Sequence, residues 1–303
     1  MASNITAQEH WAKKGDVKLF VFRKFKDTPK NKPVLILVHG SSLCALPSYD
    51  LRVPGRESEY SMMDICAERG FDVWTIDHEG YGKSSRTASN SNIAMAVDDI
   101  GAMLPILKQE TGQTQYNFYG QSSGALRAAS FAQAYPQHVS RLVLDAFVWT
   151  GEGSPTLAKR REGLAEYRAS NTRKLERKNL VGIFSRDMSG TAEDIVAETV
   201  ADSQLSYGDS VPSGTFVDMC SALPVVDPEK LPFPVLILRG AHDGIATLDD
   251  LLKFFAKLPN DDKQFTVMAG AAHITHLGLN KHRFYNTFFS FLEMPPRRDH
   301  APH

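Results

Sequence analysis

The chain has 303 residues, a formal net charge of −1 at pH 7 and a 42% share of hydrophobic residues. This describes a globular protein with one substantial core, or a core plus an accessory lobe, and no basic excess for nucleic acid. No run approaches the roughly 18 apolar residues of a membrane span, and the polar N-terminus lacks the apolar centre of a secretory signal, so the expectation is a cytoplasmic protein with no membrane partner.

Residues 17–25 alternate apolar and polar side chains, which predicts an outer antiparallel strand. The run Val34-Leu35-Ile36-Leu37-Val38 is continuously apolar, as in a strand covered on both faces, and it ends in His39-Gly40-Ser41-Ser42. Residues 43–61 hold Pro47, Pro54 and Gly55, too broken for a helix or a sheet, and read as a loop of the kind that borders a site. A helix over 62–69, ended by Gly70, a strand over 71–76 and a turn over 77–84 come next. The polar run 84–92 supplies a cap for a helix over 93–110, with a kink expected at Pro105.

Residues 116–119 predict a strand and 123–135 an alanine-rich helix that approaches the sheet closely. Between them stands Gly120-Gln121-Ser122-Ser123-Gly124, a G-x-S-x-G pattern. At so sharp a strand-to-helix turn, side chains at the flanking positions would clash with neighbouring backbone, so glycine is favoured and the serine is pushed out on a strained corner. A buried strand over 141–145 completes an alternation that implies an α/β fold with a doubly wound, mostly parallel sheet.

From 147 to 227 the rhythm breaks into helical periodicity with denser charge and no strand of the Val-Ile-Leu type, the mark of an inserted helical cap after the sixth strand. The core is then 1–146 with 228–294. The rhythm resumes with a strand over 233–239, a helix over 247–257, a strand over 264–268 and an amphipathic helix over 280–293; the tail 295–303 reads as disordered. Cys44, Cys66 and Cys220 form no C-x-x-C pair and read as small buried residues, so neither a metal site nor a disulfide framework is expected.

A serine hydroxyl near neutral pH needs a base within hydrogen-bond reach and a third group to orient that base. Two late loops offer them: Asp243 in Arg239-Gly240-Ala241-His242-Asp243-Gly244 and His273 in Ala269-Gly270-Ala271-Ala272-His273. Each follows an apolar strand at the carboxyl end, where open parallel sheets gather ligands. Asp145 competes as the acid, His276 competes as the base, and Asp243-Gly244 also reads as an ordinary turn.

With these motifs in hand, the chain resembles an α/β-hydrolase of the serine esterase type with an inserted cap, over nearly all its length outside the lobe. The resemblance implies the order Ser122, Asp243, His273, a histidine directly after the glycine turn, and a structural rather than catalytic His39. It also implies an oxyanion hole from the backbone N–H groups of Ser41 and Ser123, with Ser42 as the alternative. Serine at the elbow argues against the carbon-halogen and epoxide chemistry of relatives that carry aspartate there. The function implied is cofactor-independent hydrolysis of a small carboxylic ester, with lactone or C–C bond hydrolysis by the same residues as the alternative. A ligand receptor that keeps the fold is the reading of another class, and the full set of three residues argues against it.

Between residues 151 and 190 the cap carries nine Lys and Arg against five Asp and Glu. Most form a solvated face, but arginine suits bidentate carboxylate recognition, so one or two of Arg160, Arg161 and Arg168 facing inward would favour an acidic half-ester. Trp149, Ser42 and His276 complete the candidate substrate contacts.

Overall fold

A computed structural model describes residues 4–297. Its strands are β1 (Ile5–Lys14), β2 (Val17–Lys26), β3 (Val34–Val38), β4 (Asp72–Ile76), β5 (Tyr116–Gln121), β6 (Val139–Asp145), β7 (Thr172–Lys174), β8 (Ser210–Pro212), β9 (Val235–Gly240) and β10 (Lys263–Met268). All but β7 and β8 form one sheet in the order β1-β2-β4-β3-β5-β6-β9-β10. From β4 to β10 every pairing is parallel, while β2 runs against both its neighbours.

Helices cover both faces, which is why β3 and β4 are buried at every position. Those before the sixth strand are α1 (Ala45–Tyr49), α2 (Met62–Glu68), α3 (Ile93–Thr111) and α4 (Ser123–Ala134). On one face Ile36, Trp74, Phe118 and Leu142 pack with α3 and α4 residues such as Ile100, Met103 and Leu126. On the other, Leu35, Leu37, Val73 and Tyr119 pack with Met62 and Met63 of α2. Asn92 caps α3 as expected, accepting a bond from the Met95 amide at 3.0 Å, and α3 runs through Pro105 as one helix.

The segment between β6 and β9 holds α5 (Pro155–Arg161), α6 (Leu164–Ala169), α7 (Arg177–Gly182), α8 (Asp194–Leu205) and α9 (Gly214–Ser221), followed after β9 by α10 (Leu248–Lys257) and α11 (Lys281–Leu292). The buried apolar residues of this segment join clusters shared with the rest of the chain. Leu157, Phe216 and Met219 join the sheet's cluster with Phe147 and Ile93. Leu180, Val196, Val200 and Val211 pack instead on Leu43, Leu51, Val53 and Tyr81, from the loops at the carboxyl ends of β3 and β4.

Four elements depart from the sequence reading. β1 escaped it because only Ala12 in that strand is buried, and Glu9, Lys13 and Lys14 give an outermost strand the charged character that discourages further pairing. His10 on that strand is half-buried against Trp74, with ring centroids 5.1 Å apart. The loop over 43–61 contains α1, and the inserted segment contains the short antiparallel ribbon β7–β8, whose strands are too short for periodicity to show. The tail expectation, 295–303, falls for the most part on 298–303, outside the described residues.

The turn from β5 to α4 is set by backbone contact. A Cβ on Gly120 would stand 2.3 Å from the Gly124 carbonyl oxygen, and one on Gly124 would stand 2.1 Å from that of Val38 in β3. Ser122 between them takes φ 59 and ψ −126, in the half of backbone space that a side chain disfavours. Gly124→Ala is expected to destabilise the fold by about 1–3 kcal/mol in urea unfolding, because β3 must move to admit the methyl group.

Candidate active site

Ser122 is buried apart from a small exposed fraction, and its amide donates to the Asp145 carbonyl at 2.8 Å, tying the elbow to the end of β6. His273, from the loop after β10, places Nε2 3.1 Å from Ser122 Oγ and Nδ1 2.9 Å from Asp243 Oδ1. The three residues singled out in the sequence therefore form one hydrogen-bonded chain. Both loops are braced: Gln121 Nε2 donates to the His273 carbonyl at 3.1 Å, Ile245 N to Asp243 Oδ1 at 3.0 Å, and Arg239 Nη2 to the Asp243 carbonyl at 3.0 Å.

Burial opposes the Asp243 carboxylate, but the His273 imidazole and the Ile245 amide outweigh it and hold the group below the usual range. Burial also pulls His273 below 6.5, more than the Asp243 charge lifts it. At neutral pH the imidazole is thus an uncharged acceptor beside a hydroxyl donor, the arrangement that serine activation requires.

Asp145 is not brought to His273. Its Oδ2 accepts from Tyr119 Oη at 2.7 Å and Thr275 Oγ1 at 2.6 Å, and burial lifts its pKa to about 7 despite those donors. His276 departs from the expected substrate contact: Nε2 lies 3.0 Å from the Ser48 carbonyl, in a buried aromatic group with Tyr49, Tyr119 and Phe284. Burial drives its pKa down to about 4, so it is a neutral brace for the loop that carries α1. Trp149 departs too, its Nε1 donating to the Val226 carbonyl at 3.0 Å in a groove with Gln133 and Lys257. Arg161 turns outward and donates to the Cys220 carbonyl at 3.2 Å, and Arg168 is exposed.

His39 is a brace beneath the loop that bears Ser41. Its Nδ1 lies 2.8 Å from the Gly40 carbonyl, its Nε2 accepts from the His78 amide at 3.2 Å, and burial keeps it neutral. Gly40 packs against the elbow, where a Cβ would stand 3.5 Å from Ser122 Cβ, so this loop and Ser123 flank the serine from two sides. Ser42 Oγ, half-exposed, accepts from Arg173 Nη2 at 2.8 Å.

Arg173, on β7, was not anticipated. Its Nη2 also donates to the Ser41 carbonyl at 2.6 Å, and its guanidinium lies 4.0 Å from the Phe216 ring centre, with that of Arg160 4.3 Å from the same ring. Neither guanidinium has a carboxylate partner among the described residues; burial, then the Arg186 and Arg173 charges, lower Arg160 to about 9. A period-two count on a three-residue strand is too short to tell which way Arg173 points. Asp187 also reaches the site: one ligand atom each from Asp187, Asp243 and His273 lie within 4.8 Å of one another. Among the described residues this is the group with the spacing to hold a metal ion, but both His273 nitrogens are already engaged, so a cation there would displace the bonds to Ser122 or Asp243.

The sheet order, the elbow and this Ser–His–Asp geometry define an α/β-hydrolase. The chain belongs to the serine aminopeptidase S33 family of that fold, whose model matches residues 59–279. It is 28% identical over 266 residues to a 2-hydroxy-6-oxononadienedioate/2-hydroxy-6-oxononatrienedioate hydrolase of Paraburkholderia phymatum, covering 82% of this chain and 83% of that one. A Pseudomonas putida protein of the same description is 29% identical over 247 residues, covering 78% and 80%. Among solved structures, E-2-(acetamidomethylene)succinate hydrolase matches with a TM-score of 0.68 at 18% identity over 95% of this chain and 100% of that one. A 2-hydroxy-6-oxo-6-phenylhexa-2,4-dienoate hydrolase of a Rhodococcus species matches with a TM-score of 0.68 at 18% identity over 95% and 99%. Both structures speak to the fold alone.

Labelling of Ser122 by a fluorophosphonate is expected to decline on acidification with a midpoint below pH 6.5, since burial lowers the histidine and only its neutral form accepts the serine proton. The check is the labelling rate against pH, with Ser122→Ala as the blank.

Proposed function

We propose that the chain is a serine hydrolase that cleaves a small acyl compound bearing a free carboxylate, through an acyl-enzyme on Ser122. The observation that carries this reading is the pair Arg160 and Arg173, cations without a carboxylate partner among the described residues that share the Phe216 ring, with Arg173 bonded to the Ser41 carbonyl in the loop that packs on the Ser122 elbow. Burying an uncompensated guanidinium costs free energy that an incoming carboxylate returns. Arg173 reaches the Ser41 carbonyl itself, so an anionic group held there lies next to the reacting centre.

In this reading Ser122 Oγ attacks the carbonyl carbon while His273 Nε2 takes its proton, and Asp243 holds the Nδ1–H tautomer and offsets the imidazolium charge. The amides of Ser41 and Ser123 receive the oxyanion. His273 returns the proton to the leaving group, and water, activated by the same histidine, releases the acid. The segment over 147–227 serves as the cap that selects the substrate.

The leaving group distinguishes two versions. An alcohol makes the substrate a half-ester of a dicarboxylic acid. A carbon leaving group makes it a keto acid cleaved at a C–C bond, the version favoured by the relatives described as dienedioate hydrolases. The test is a panel of half-esters, matching neutral diesters and 2-hydroxy-6-oxo-dienoates. Wild type is expected to prefer the anionic member of each ester pair. Arg173→Met and Arg160→Met are expected to lower kcat/KM for anionic substrates about 10- to 100-fold while leaving diesters within about threefold. Equal rates on half-ester and diester in wild type would overturn the carboxylate reading, and turnover by Ser122→Ala would overturn the acyl-enzyme.

A further inference from the structure

Asp187 is hard to explain as a surface residue. Its side chain is only 9% exposed, and its ion pair is with its own neighbour, Arg186 Nε at 3.1 Å. It packs on the loop that carries Asp243: a Cβ on Gly244 would stand 2.7 Å from Asp187 Oδ1 and 3.1 Å from Thr156 Oγ1. Gly244 does not adopt a left-handed backbone, so the glycine after Asp243 answers this contact rather than a turn. The same loop is gripped by the start of the inserted segment, with Ser154 Oγ donating to the Gly244 carbonyl at 3.1 Å and the Thr156 amide at 3.3 Å.

Two carboxylates this close, both largely withdrawn from water, repel one another unless a cation stands beside them. Arg186 supplies one at rest. A second appears only when His273 is protonated, because the imidazole lies within 4.8 Å of both acids. Asp243 Oδ2 has no hydrogen-bond partner among the described residues, so its second oxygen leaves this side of the couple open to such a neighbour.

We propose that Arg186 and Asp187 are a positioning pair for the reacting histidine: the inserted segment carries a second carboxylate to the Asp243–His273 couple and a guanidinium that offsets it. The pair sets how strongly His273 holds its proton, and its effect depends on the segment being seated on the Gly244 loop. This rests on the proposed serine-hydrolase reading.

The charged and titratable groups that act on the imidazole come from four places. Asp243 lies on the loop after β9, with Arg239 donating to its carbonyl. Asp145 at the end of β6 is raised in part by the Asp243 charge. Arg186 and Asp187 come from the inserted segment, the first lowering His273 and the second raising it, while Ser122 on the elbow supplies the neutral hydroxyl. His276, in the same loop as His273, is turned to Ser48.

Opposite charges on adjacent residues give the test its discrimination. The fluorophosphonate labelling rate of Ser122 is followed against pH in wild type, Asp187→Asn, Arg186→Gln and Arg186→Lys, with thermal melting as the check on folding. Removing the Asp187 charge lowers the affinity of His273 for its proton, so the acid limb moves to lower pH by about half to one unit, and the plateau rate falls because the imidazolium of the transition state loses a partner. Removing the Arg186 charge moves the limb to higher pH, and Arg186→Lys restores the wild-type limb. Limbs that do not move, or that move the same way in Asp187→Asn and Arg186→Gln while the melts stay cooperative, overturn the pair. Absence of labelling in wild type overturns the serine-hydrolase reading instead. A variant that does not fold is replaced by Asp187→Ser or Arg186→Met, which remove the same charges with different side chains.

Discussion

The contact that the rest of the structure depends on is between three backbones. The end of β3, the elbow after β5 and the first turn of α4 come so close that neither Gly120 nor Gly124 has room for a methyl group. Ala125, Ala128, Ala129 and Ala132, all fully buried, let the remainder of α4 lie against the sheet at the same short distance. Because the chain turns within so little space, Ser122 is forced into a positive-φ conformation and its hydroxyl leaves the sheet at the carboxyl end. The loops after β3, β9 and β10 converge on that end, so the geometry around the serine follows from the close packing of the sheet.

Burial sorts the ionisable groups of the site by position. Beneath the serine, His39 and His276 are held neutral, His78 is lowered to about 4 and Asp145 is lifted to about 7, while Asp99 stays ionised beside His78 and the buried Arg127 donates to the His39 and Gly40 carbonyls. Asp243 goes the other way, kept ionised by His273 and a backbone amide. From the inserted segment come Arg160, Arg173, Arg186 and Asp187, an excess of positive charge. In the proposed reading, the anionic end of a carboxylate-bearing substrate is drawn toward these arginines.

The hydrogen-bonded Ser122–His273–Asp243 chain was legible in the sequence because each member sits at a strand end and is marked by glycine. Ser122 lies between Gly120 and Gly124, His273 follows Gly270, and Asp243 is bounded by Gly240 and Gly244, with Gly240 packed so closely on the Ala272 carbonyl that a Cβ would stand 2.0 Å from it. Strands buried on both faces were equally legible, since continuous apolar runs admit few other readings. β1 was not, because an outermost strand buries almost nothing and its polar residues carry no period. The charges of the inserted segment were countable but not orientable. Arg160 and Arg161 are neighbours in sequence, yet one stacks on Phe216 and the other reaches the Cys220 carbonyl. His276 and Trp149 misled for a related reason: their aromatic rings are satisfied by carbonyls on distant segments, Ser48 and Val226, which no local pattern announces.

The segment between β6 and β9 and the Ser122–His273–Asp243 chain are also joined through single side chains. Arg173 donates to the carbonyl of Ser41 and the hydroxyl of Ser42, in the loop that packs on the elbow through Gly40, while its ring contact with Phe216 is shared with Arg160. Asp187 makes the corresponding link on the acid side through Gly244. The inserted segment therefore touches the loop beside the serine and the loop beside the histidine at once. In the proposed reading its seating bears on both, and residue 173 is the position where substrate charge and the loop beside the serine meet in one guanidinium.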